Sequence, residues 1–74
     1  MNYKVNVVIE KDEHGYYAYS PVLEGCQTQG ESFDEVLANI KEAVELYLET
    51  LSRSEIKKLL SKDIFNTSLE VKVG

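Results

Sequence analysis

The sequence predicts a small α+β protein in which one long helix packs on an antiparallel sheet. Three observations predict this class: apolar residues alternate with polar ones near the amino terminus, a turn-rich section follows, and a long stretch then repeats its apolar residues every three or four positions. A helix on a mostly antiparallel sheet buries both apolar surfaces together. We therefore expect one domain over residues 1–74, in the order β-β-β-α-(α)-β.

The first two strands are predicted to form a hairpin. Residues 3–11 alternate, and the side chains that share one face are Tyr3, Val5, Val7 and Ile9. Residues 12–15 are turn formers, and Gly15 can adopt the positive φ of a tight turn. Strand-forming composition resumes over residues 16–20, so the second strand is expected to return antiparallel to the first.

A short third strand is predicted before the helix. Pro21 has no N–H group and suits a strand end, residues 22–25 indicate a turn, and residues 26–29 indicate a strand that Gly30 closes. Ser32 and Glu35 have the spacing of a capping box, so we expect a helix to begin at Phe33.

The long helix is predicted from one continuous apolar stripe, made of Phe33, Val36, Leu37, Ile40, Ala43, Val44, Tyr47, Leu48 and Leu51. A short second helix is predicted over residues 54–60, with Ile56, Leu59 and Leu60 on its apolar side. After Asn66 and Thr67, the alternation of residues 69–73 predicts a last strand.

Composition and charge limit the classes of function. The chain has 8 Lys and Arg against 13 Asp and Glu, a net charge of -5, which opposes binding to nucleic-acid phosphates and favours a basic partner. No apolar run is long enough to span a membrane, and no secretory signal pattern opens the chain, so a cytoplasmic location is expected. A core this small favours a homodimer or higher homo-oligomer.

The stretch GCQTQGES, residues 25–32, has the glycine spacing of a phosphate-binding P-loop, but Glu31 stands where the lysine is needed. The same stretch holds Cys26, the only cysteine, and the only histidine, His14, lies in the hairpin turn, so no thiol–imidazole pair is predicted. The residues show no metal-ligand spacing, and we expect no cofactor. Glu10 and Glu70, which a two-metal nuclease would need, are expected to face solvent.

Two surfaces are candidates for binding a partner protein. Tyr17 and Tyr19 belong to a tyrosine-rich second strand, and tyrosine is enriched at protein interfaces. The polar face of the long helix is acidic, and its candidate contact residues are Glu42, Glu45 and Glu49. The alternative for each surface is a structural one: core packing for the tyrosines and a solvated face for the acids.

Residues 17–49 carry a resemblance to a known family. The segment Pro21-x-x-x-Gly25-Cys26, followed by Asn39-Ile40-x-Glu42-Ala43, resembles the signature of HicB-type antitoxin domains. The similarity extends over residues 5–49. Its signature positions are Pro21, Gly25, Cys26, Gly30, Ser32, Glu35 and Asn39.

The resemblance implies a β-β-β-α-β domain described as a partial RNase H-like fold without catalytic residues. It implies an antitoxin that sequesters HicA, a small basic RNA-cleaving toxin. Many family members add a DNA-binding segment after this domain, whereas this chain ends at Gly74, so we expect no specific DNA binding. The alternatives are an orphan homo-oligomeric or adaptor module without a toxin, and a nuclease on the RNase H-like scaffold.

Overall fold

A computed structural model describes residues 2–74 of the protein. The strands β1 (Val8–Asp12), β2 (Gly15–Tyr19) and β3 (Gln27–Gly30) precede the helices α1 (Phe33–Glu49) and α2 (Arg53–Leu60). The three strands form one antiparallel sheet in the order β1-β2-β3. The predicted α+β class, with a long helix on a small antiparallel sheet, is confirmed.

The β1–β2 hairpin is shorter than the alternation predicts. Its pairing runs from Asp12↔Gly15 at the turn to Val8↔Tyr19, and the Asp12 carboxylate accepts a hydrogen bond from the His14 backbone N–H at 2.8 Å. Residues 3–7 keep the alternation of half-buried and exposed side chains. They are not paired as a strand, because β2 ends at Tyr19 and the chain turns away at Ser20.

A tight turn over residues 20–26 connects β2 to β3. Backbone hydrogen bonds from Ser20 N–H to the Cys26 carbonyl and from Cys26 N–H to the Leu23 carbonyl, both 3.0 Å, close it. Gly25 takes φ of 82° there, a conformation that favours glycine. The prediction missed that this turn is part of the core, since Val22 and Leu23 are both buried.

Helix α1 begins at Phe33 as predicted. The Ser32 hydroxyl accepts from the Glu35 N–H at 3.0 Å, but the Glu35 carboxylate accepts from the N–H of Glu31, at 3.4 Å, instead of that of Ser32. A side chain at Gly30 would come within 2.8 Å of the Val36 nitrogen, so glycine is needed where β3 meets the helix. The reciprocal capping box forms instead at the start of α2, between Ser52 and Glu55.

The core lies between the sheet and α1. Its buried members are Ala18, Val22, Leu23, Cys26, Val36, Ile40 and Val44. The helix packs on β2 and β3, and the Asn39 side chain donates to the backbone carbonyl of Gln29 at 3.0 Å. This bond ties α1 to the β3 side of the sheet and leaves the β1 side of the inner face less covered.

The last predicted strand is wrong for the isolated chain. Residues 62–74 form neither helix nor strand, although Leu69, Val71 and Val73 alternate as expected. Ile64 is the last residue that packs on the core, and the exposed segment that follows, residues 65–74, meets no sheet edge of its own chain. Alternation indicates that a segment can form a strand, but a strand also needs a partner with which to pair.

Candidate functional site

The tyrosine patch lies on the outer face of the sheet. Ala18 is fully buried, and the ring of Tyr16 contacts that of Phe33 in α1, with centroids 6.4 Å apart. Ala18 and Tyr16 therefore face the helix. Because side chains alternate along a strand, Tyr17 and Tyr19 point to the opposite face. Their ring centroids are 5.7 Å apart.

The surroundings of the tyrosine patch carry little charge. The Tyr17 hydroxyl donates to the Gln27 side-chain carbonyl at 2.7 Å, which fixes its ring over the neighbouring strand. Across the sheet, Tyr17 pairs with Gln29 and with Glu10, and Tyr19 pairs with Gln27. Tyr17 is 38% exposed, so the patch offers an aromatic surface with amide neighbours. Such a surface suits contact with another protein.

The acidic face of α1, which we define as Glu42, Glu45 and Glu49, lies on the solvent side of the helix. The buried residues Val36, Ile40 and Val44 point to the sheet, and all three glutamates are exposed. Among residues 2–74 no Lys or Arg side chain lies within ion-pair distance of a carboxylate, and the one close contact of this type joins Glu13 to the imidazole of His14 at 3.4 Å. The three carboxylates are therefore not neutralised by basic side chains of the described chain.

The tyrosine patch and the acidic face of α1 lie on opposite sides of the molecule. Tyr17 and Tyr19 cover the outer face of the sheet, whereas the glutamates cover the outer face of the helix layered on its other side. The structure thus brings together the members within each predicted set but separates the two sets. One compact partner could not cover both surfaces with a single flat interface.

The signature residues have structural roles in this protein. Burial raises the pKa of the Cys26 thiol, because a low-dielectric surrounding disfavours the thiolate. Cys26 is 5% exposed and belongs to the core cluster. Gly25 and Gly30 shape the backbone, Ser32 caps α1 and Asn39 bonds β3, so the signature specifies a fold.

The remaining sequence candidates stay apart. His14 is exposed in the hairpin turn, as predicted, and Glu10 and Glu70 are exposed as well. Within residues 2–74, no three His, Cys, Asp or Glu side chains come close enough together to hold a metal ion. None of the helices in this part of the chain is long and apolar enough to cross a membrane.

An apolar groove was not predicted. It runs between residues 3–7 and α1 and has a volume of about 1200 Å³. Its apolar lining includes Tyr3, Val5, Val7, Leu37, Val44, Leu48 and Ile56, and its charged lining is made of Asp34, Lys41, Glu42, Glu45 and Glu49, so the groove borders the acidic face of α1. The sequence contains one signal for it: the apolar alternation of the first strand starts at Tyr3, five residues before its pairing with β2 begins at Val8. Inward-facing side chains without a paired strand beside them leave a gap at the sheet edge.

Comparisons with known proteins agree with this arrangement. The family described as "HicB_like antitoxin of bacterial toxin-antitoxin system" matches residues 3–70, which extends beyond the resemblance seen over residues 5–49. A UPF0150 protein of Helicobacter pylori is 49% identical over 67 residues, covering 90% of this chain and 93% of the relative. A UPF0150 protein of Archaeoglobus fulgidus is 44% identical over 72 residues, covering 96% and 99%.

A third relative, a UPF0150 protein of Thermoplasma acidophilum, is 49% identical over 55 residues, which cover 73% of this chain and 80% of the relative. No solved structure gives a significant match. The family match spans the sheet and both helices, including every signature residue described above. The chain therefore belongs to the HicB-like antitoxin family of bacterial toxin–antitoxin systems.

Proposed function

We propose that the protein is a cytoplasmic antitoxin that binds and neutralises a small basic RNA-cleaving toxin of the HicA type, with the acidic face of α1 as its main contact surface. It acts by binding and carries out no chemical step of its own. Membership of the family supports the antitoxin role in general. The position of the negative charge supports the basic partner and the surface.

The observation that carries the proposal is the concentration of charge on one helix. Helix α1 contains five acidic residues and one lysine, a net charge of -4, which are Asp34, Glu35, Glu42, Glu45, Glu49 and Lys41. The chain as a whole has 13 acidic and 8 basic residues, so everything outside α1 has 8 acidic and 7 basic residues and a net charge of -1. Nearly all of the excess negative charge lies on one element.

The acidic face is unfavourable for the helix itself. Glu42 and Glu45 are three residues apart, and Glu45 and Glu49 are four apart, so like charges repel along one face by about 0.2–0.5 kcal/mol per pair. The last turn of α1 holds no basic residue, so Glu49 also meets the negative end of the helix dipole. Stability does not account for these glutamates, which favours a role in binding.

A basic toxin is a partner whose charge is complementary to the acidic face of α1. An RNA-cleaving protein must present Lys and Arg to RNA phosphates, and a row of carboxylates is complementary to such a surface. Long-range attraction speeds the encounter and sets the orientation of the two proteins. Once docked, α1 occupies the surface that RNA would otherwise use, and the toxin is sequestered.

The test uses the small basic protein encoded by the adjacent reading frame as the toxin. We compare the wild-type protein with Glu42→Gln/Glu45→Gln/Glu49→Gln and with a matched control, Glu13→Gln/Glu24→Gln/Asp63→Asn. Each triple variant changes the net charge from -5 to -2, but only the first acts on the acidic face. Growth rescue on co-expression and the Kd at two salt concentrations are measured.

The α1 variant is expected to bind at least about 10-fold more weakly, a loss of roughly 1.4 kcal/mol, and to lose most of its salt dependence. Its free energy of unfolding should be equal to or higher than that of the wild type, because the like-charge repulsion is removed. The control should rescue growth normally. Equal weakening in both variants would assign the effect to net charge and reject the acidic face as the site; absence of any complex would reject the toxin partner.

A second candidate function, an adaptor or homo-oligomeric module without a toxin, is favoured by the tyrosine patch. This patch faces away from the acidic face and carries amide neighbours, so it suits a partner that need not be basic. The variant Tyr17→Ala/Tyr19→Ala distinguishes the two. Under the toxin hypothesis the tyrosine variant still rescues growth. Under the adaptor hypothesis the tyrosine variant loses binding to its protein partner or to a second copy, whereas the α1 glutamate variant keeps that binding.

A further inference from the structure

Leu46 is an apolar residue on the solvent side of α1. It is 57% exposed, more than any other large apolar side chain of this helix; Phe33 is 50% and Leu37 43% exposed. It is also the one large apolar residue of α1 that lies outside the apolar stripe of the helix. Packing against the sheet therefore does not account for a leucine at this position.

The other two exposed apolar residues of α1 have apolar neighbours within the chain. The ring of Phe33 contacts that of Tyr16, with centroids 6.4 Å apart. Leu37 lines the apolar groove, and its neighbours on the helix surface include Phe33 and Ile40. Leu46 is part of the groove lining as well, together with the three glutamates of the acidic face. Its surroundings are therefore charged where those of Phe33 and Leu37 are apolar.

The acidic face of α1 flanks Leu46 on the helix surface. Residues three and four positions apart are neighbours on a helix, so Leu46 lies between Glu42, four residues before it, and Glu49, three residues after it. Both glutamates are exposed, and Glu45 directly precedes Leu46 in the chain. Leu46 is thus an exposed apolar side chain within a row of carboxylates.

A surface of this composition matches the pattern of a protein–protein contact. In such contacts charged residues are depleted at the centre, where apolar side chains are fully buried, and the solvent-accessible rim is polar. An exposed leucine gains free energy when a partner covers it, because its apolar area is removed from water. Leu46 can therefore be buried at the centre of a contact whose rim is formed by Glu42 and Glu49.

We propose that Leu46 is the apolar anchor of the acidic face. It inserts into an apolar pocket of a basic partner protein, and Lys or Arg side chains at the rim of that pocket pair with Glu42 and Glu49. This inference rests on the proposed function, because it adds a contact residue to the same face of α1. It also narrows the class of partner. A uniformly cationic surface would leave Leu46 against charged groups, so the partner must carry an apolar pocket within its basic surface.

Charge favours such a partner over a second copy of the protein. In a two-fold contact centred on Leu46, both copies use the same face. Glu42 and Glu49 of one copy would then face the same glutamates of the other, and like charges across an interface are unfavourable. Outside α1 the chain has 8 acidic and 7 basic residues, so the rest of a second copy offers no excess of positive charge either.

The leucine and the glutamates are expected to act on different steps of binding. Charged groups attract a partner over a distance, so the glutamates raise the association rate, and salt weakens that effect. Leu46 acts only after contact, so it lowers the dissociation rate independently of salt. Rate constants measured at two salt concentrations therefore separate the two contributions.

The first test measures binding of the full chain to the small basic protein encoded by the adjacent reading frame, used as the toxin. In Leu46→Ala the dissociation rate constant is expected to rise at least about 10-fold, because a buried apolar side chain is lost. The association rate constant should stay within about 2-fold, with unchanged salt dependence. Alanine is the best helix former and Leu46 is exposed, so the midpoint of urea unfolding should match that of the wild type.

The matched control is Leu37→Ala, the same change at an exposed position of α1 that does not neighbour the three glutamates. Both rate constants should stay within about 2-fold of the wild type. Wild-type dissociation in Leu46→Ala, with the complex still formed, would overturn the anchor and leave the proposed function in place. An equal effect of Leu37→Ala would overturn it too, because the cause would be a general change in α1.

Two further results bear on the occupant. If the wild type forms no complex with the toxin, the proposed function is rejected, and the anchor with it. Without toxin, Leu46→Ala and the wild type should have the same mass in solution. A lower mass in the variant would assign Leu46 to a contact between copies and reject the proposal.

The second test measures whether the toxin covers Leu46. In a Cys26→Ala background, Leu46→Cys is labelled with a thiol reagent with and without saturating toxin, and Glu13→Cys in the exposed hairpin turn is the control. Bound toxin is expected to slow labelling of Leu46→Cys at least about 10-fold and to leave Glu13→Cys unchanged. Equal labelling of Leu46→Cys in the free and bound protein would show that this position stays in solvent and would refute the insertion.

Discussion

The turn over residues 20–26 and the exposed segment, residues 65–74, both lack regular structure, but they differ in burial. The turn contains Pro21, Glu24 and Gly25, a composition typical of a surface loop, yet it buries Leu23 completely. The exposed segment is richer in large apolar residues and leaves Phe65 90% and Val73 94% exposed. Apolar composition alone therefore does not decide which irregular segment enters the core.

The difference follows from how each segment is held. The turn connects two paired strands, and backbone hydrogen bonds between Ser20, Leu23 and Cys26 close it over the sheet. Its ordering cost is small because both of its ends are already fixed. The exposed segment makes no contact with the core after Ile64 and must lose the entropy of its whole length to dock. A partner surface is needed to offset that loss.

The largest expected effect is in the turn. Leu23→Ala should lower the free energy of unfolding by about 2–5 kcal/mol, because a fully buried side chain leaves a cavity. Urea denaturation at low protein concentration measures it. Val71→Ala, in the exposed segment, should change the value by less than about 0.5 kcal/mol under the same conditions. If the two variants are equally destabilised, the turn and the exposed segment do not differ in their contribution to the core.

The reactivity of thiols gives a second measure of the same contrast. Cys26 is buried and its pKa is raised, so its thiolate forms only at higher pH and is shielded from reagents. We expect it to react with a disulfide reagent at least about 100-fold more slowly than Val73→Cys in a Cys26→Ala background. The rates should converge in denaturant. Fast reaction of the native Cys26 would show that the turn opens readily.

The backbone of the turn should be less tolerant than that of the exposed segment. Gly25 has φ of 82° and open space around its Cα, so Gly25→Ala introduces backbone strain without a clash. The expected destabilisation is about 1–2 kcal/mol in thermal or urea unfolding. Gly74→Ala, the matched change in the exposed segment, should have no measurable effect. A neutral Gly25→Ala would indicate that the turn adapts its conformation.

The smallest effect concerns the start of α2, the helix that precedes the exposed segment. The Glu55 carboxylate accepts from the Ser52 backbone N–H at 2.9 Å, and the Ser52 backbone and side-chain hydrogen bonds lower its pKa. A lowered folded-state pKa gives stability that is present above the ordinary glutamate pKa of about 4.3 and is lost as the pH falls through the lower folded value. Helicity followed by circular dichroism should show a small acid-side loss that Glu55→Gln removes. An unchanged acid profile in that variant would reject the assignment.

Local patterns predicted most of the fold correctly. The apolar stripe from Phe33 onward predicts α1, and Ser32 predicts where it begins. Ser32 caps the helix and Gly30 packs against Val36, and both roles involve residues that are close in the sequence. The hairpin around Gly15 is similarly local. The burial of Leu23 and the unpaired state of residues 69–73 were not predicted, because both depend on which distant surface is available.

The candidate surfaces were predicted in part. The helical repeat correctly groups Glu42, Glu45 and Glu49, and strand alternation groups Tyr17 with Tyr19. Their placement on opposite sides of the molecule required the structure, since it depends on which face of β2 receives the helix. Whether either set contacts a partner remains a prediction for the variants described above.

The sequence by itself determined the elements of this protein, the capped start of α1, the concentration of negative charge on that helix and the family signature. These properties depend on composition and on spacings of a few residues, which the chain carries before it folds. Only the tertiary structure decided that the turn at Leu23 is core, that the groove beside Val5 and Val7 is open, and that residues 65–74 stay outside. These outcomes depend on the position of α1 over β2 and β3, set by packing and by the Asn39 bond to β3.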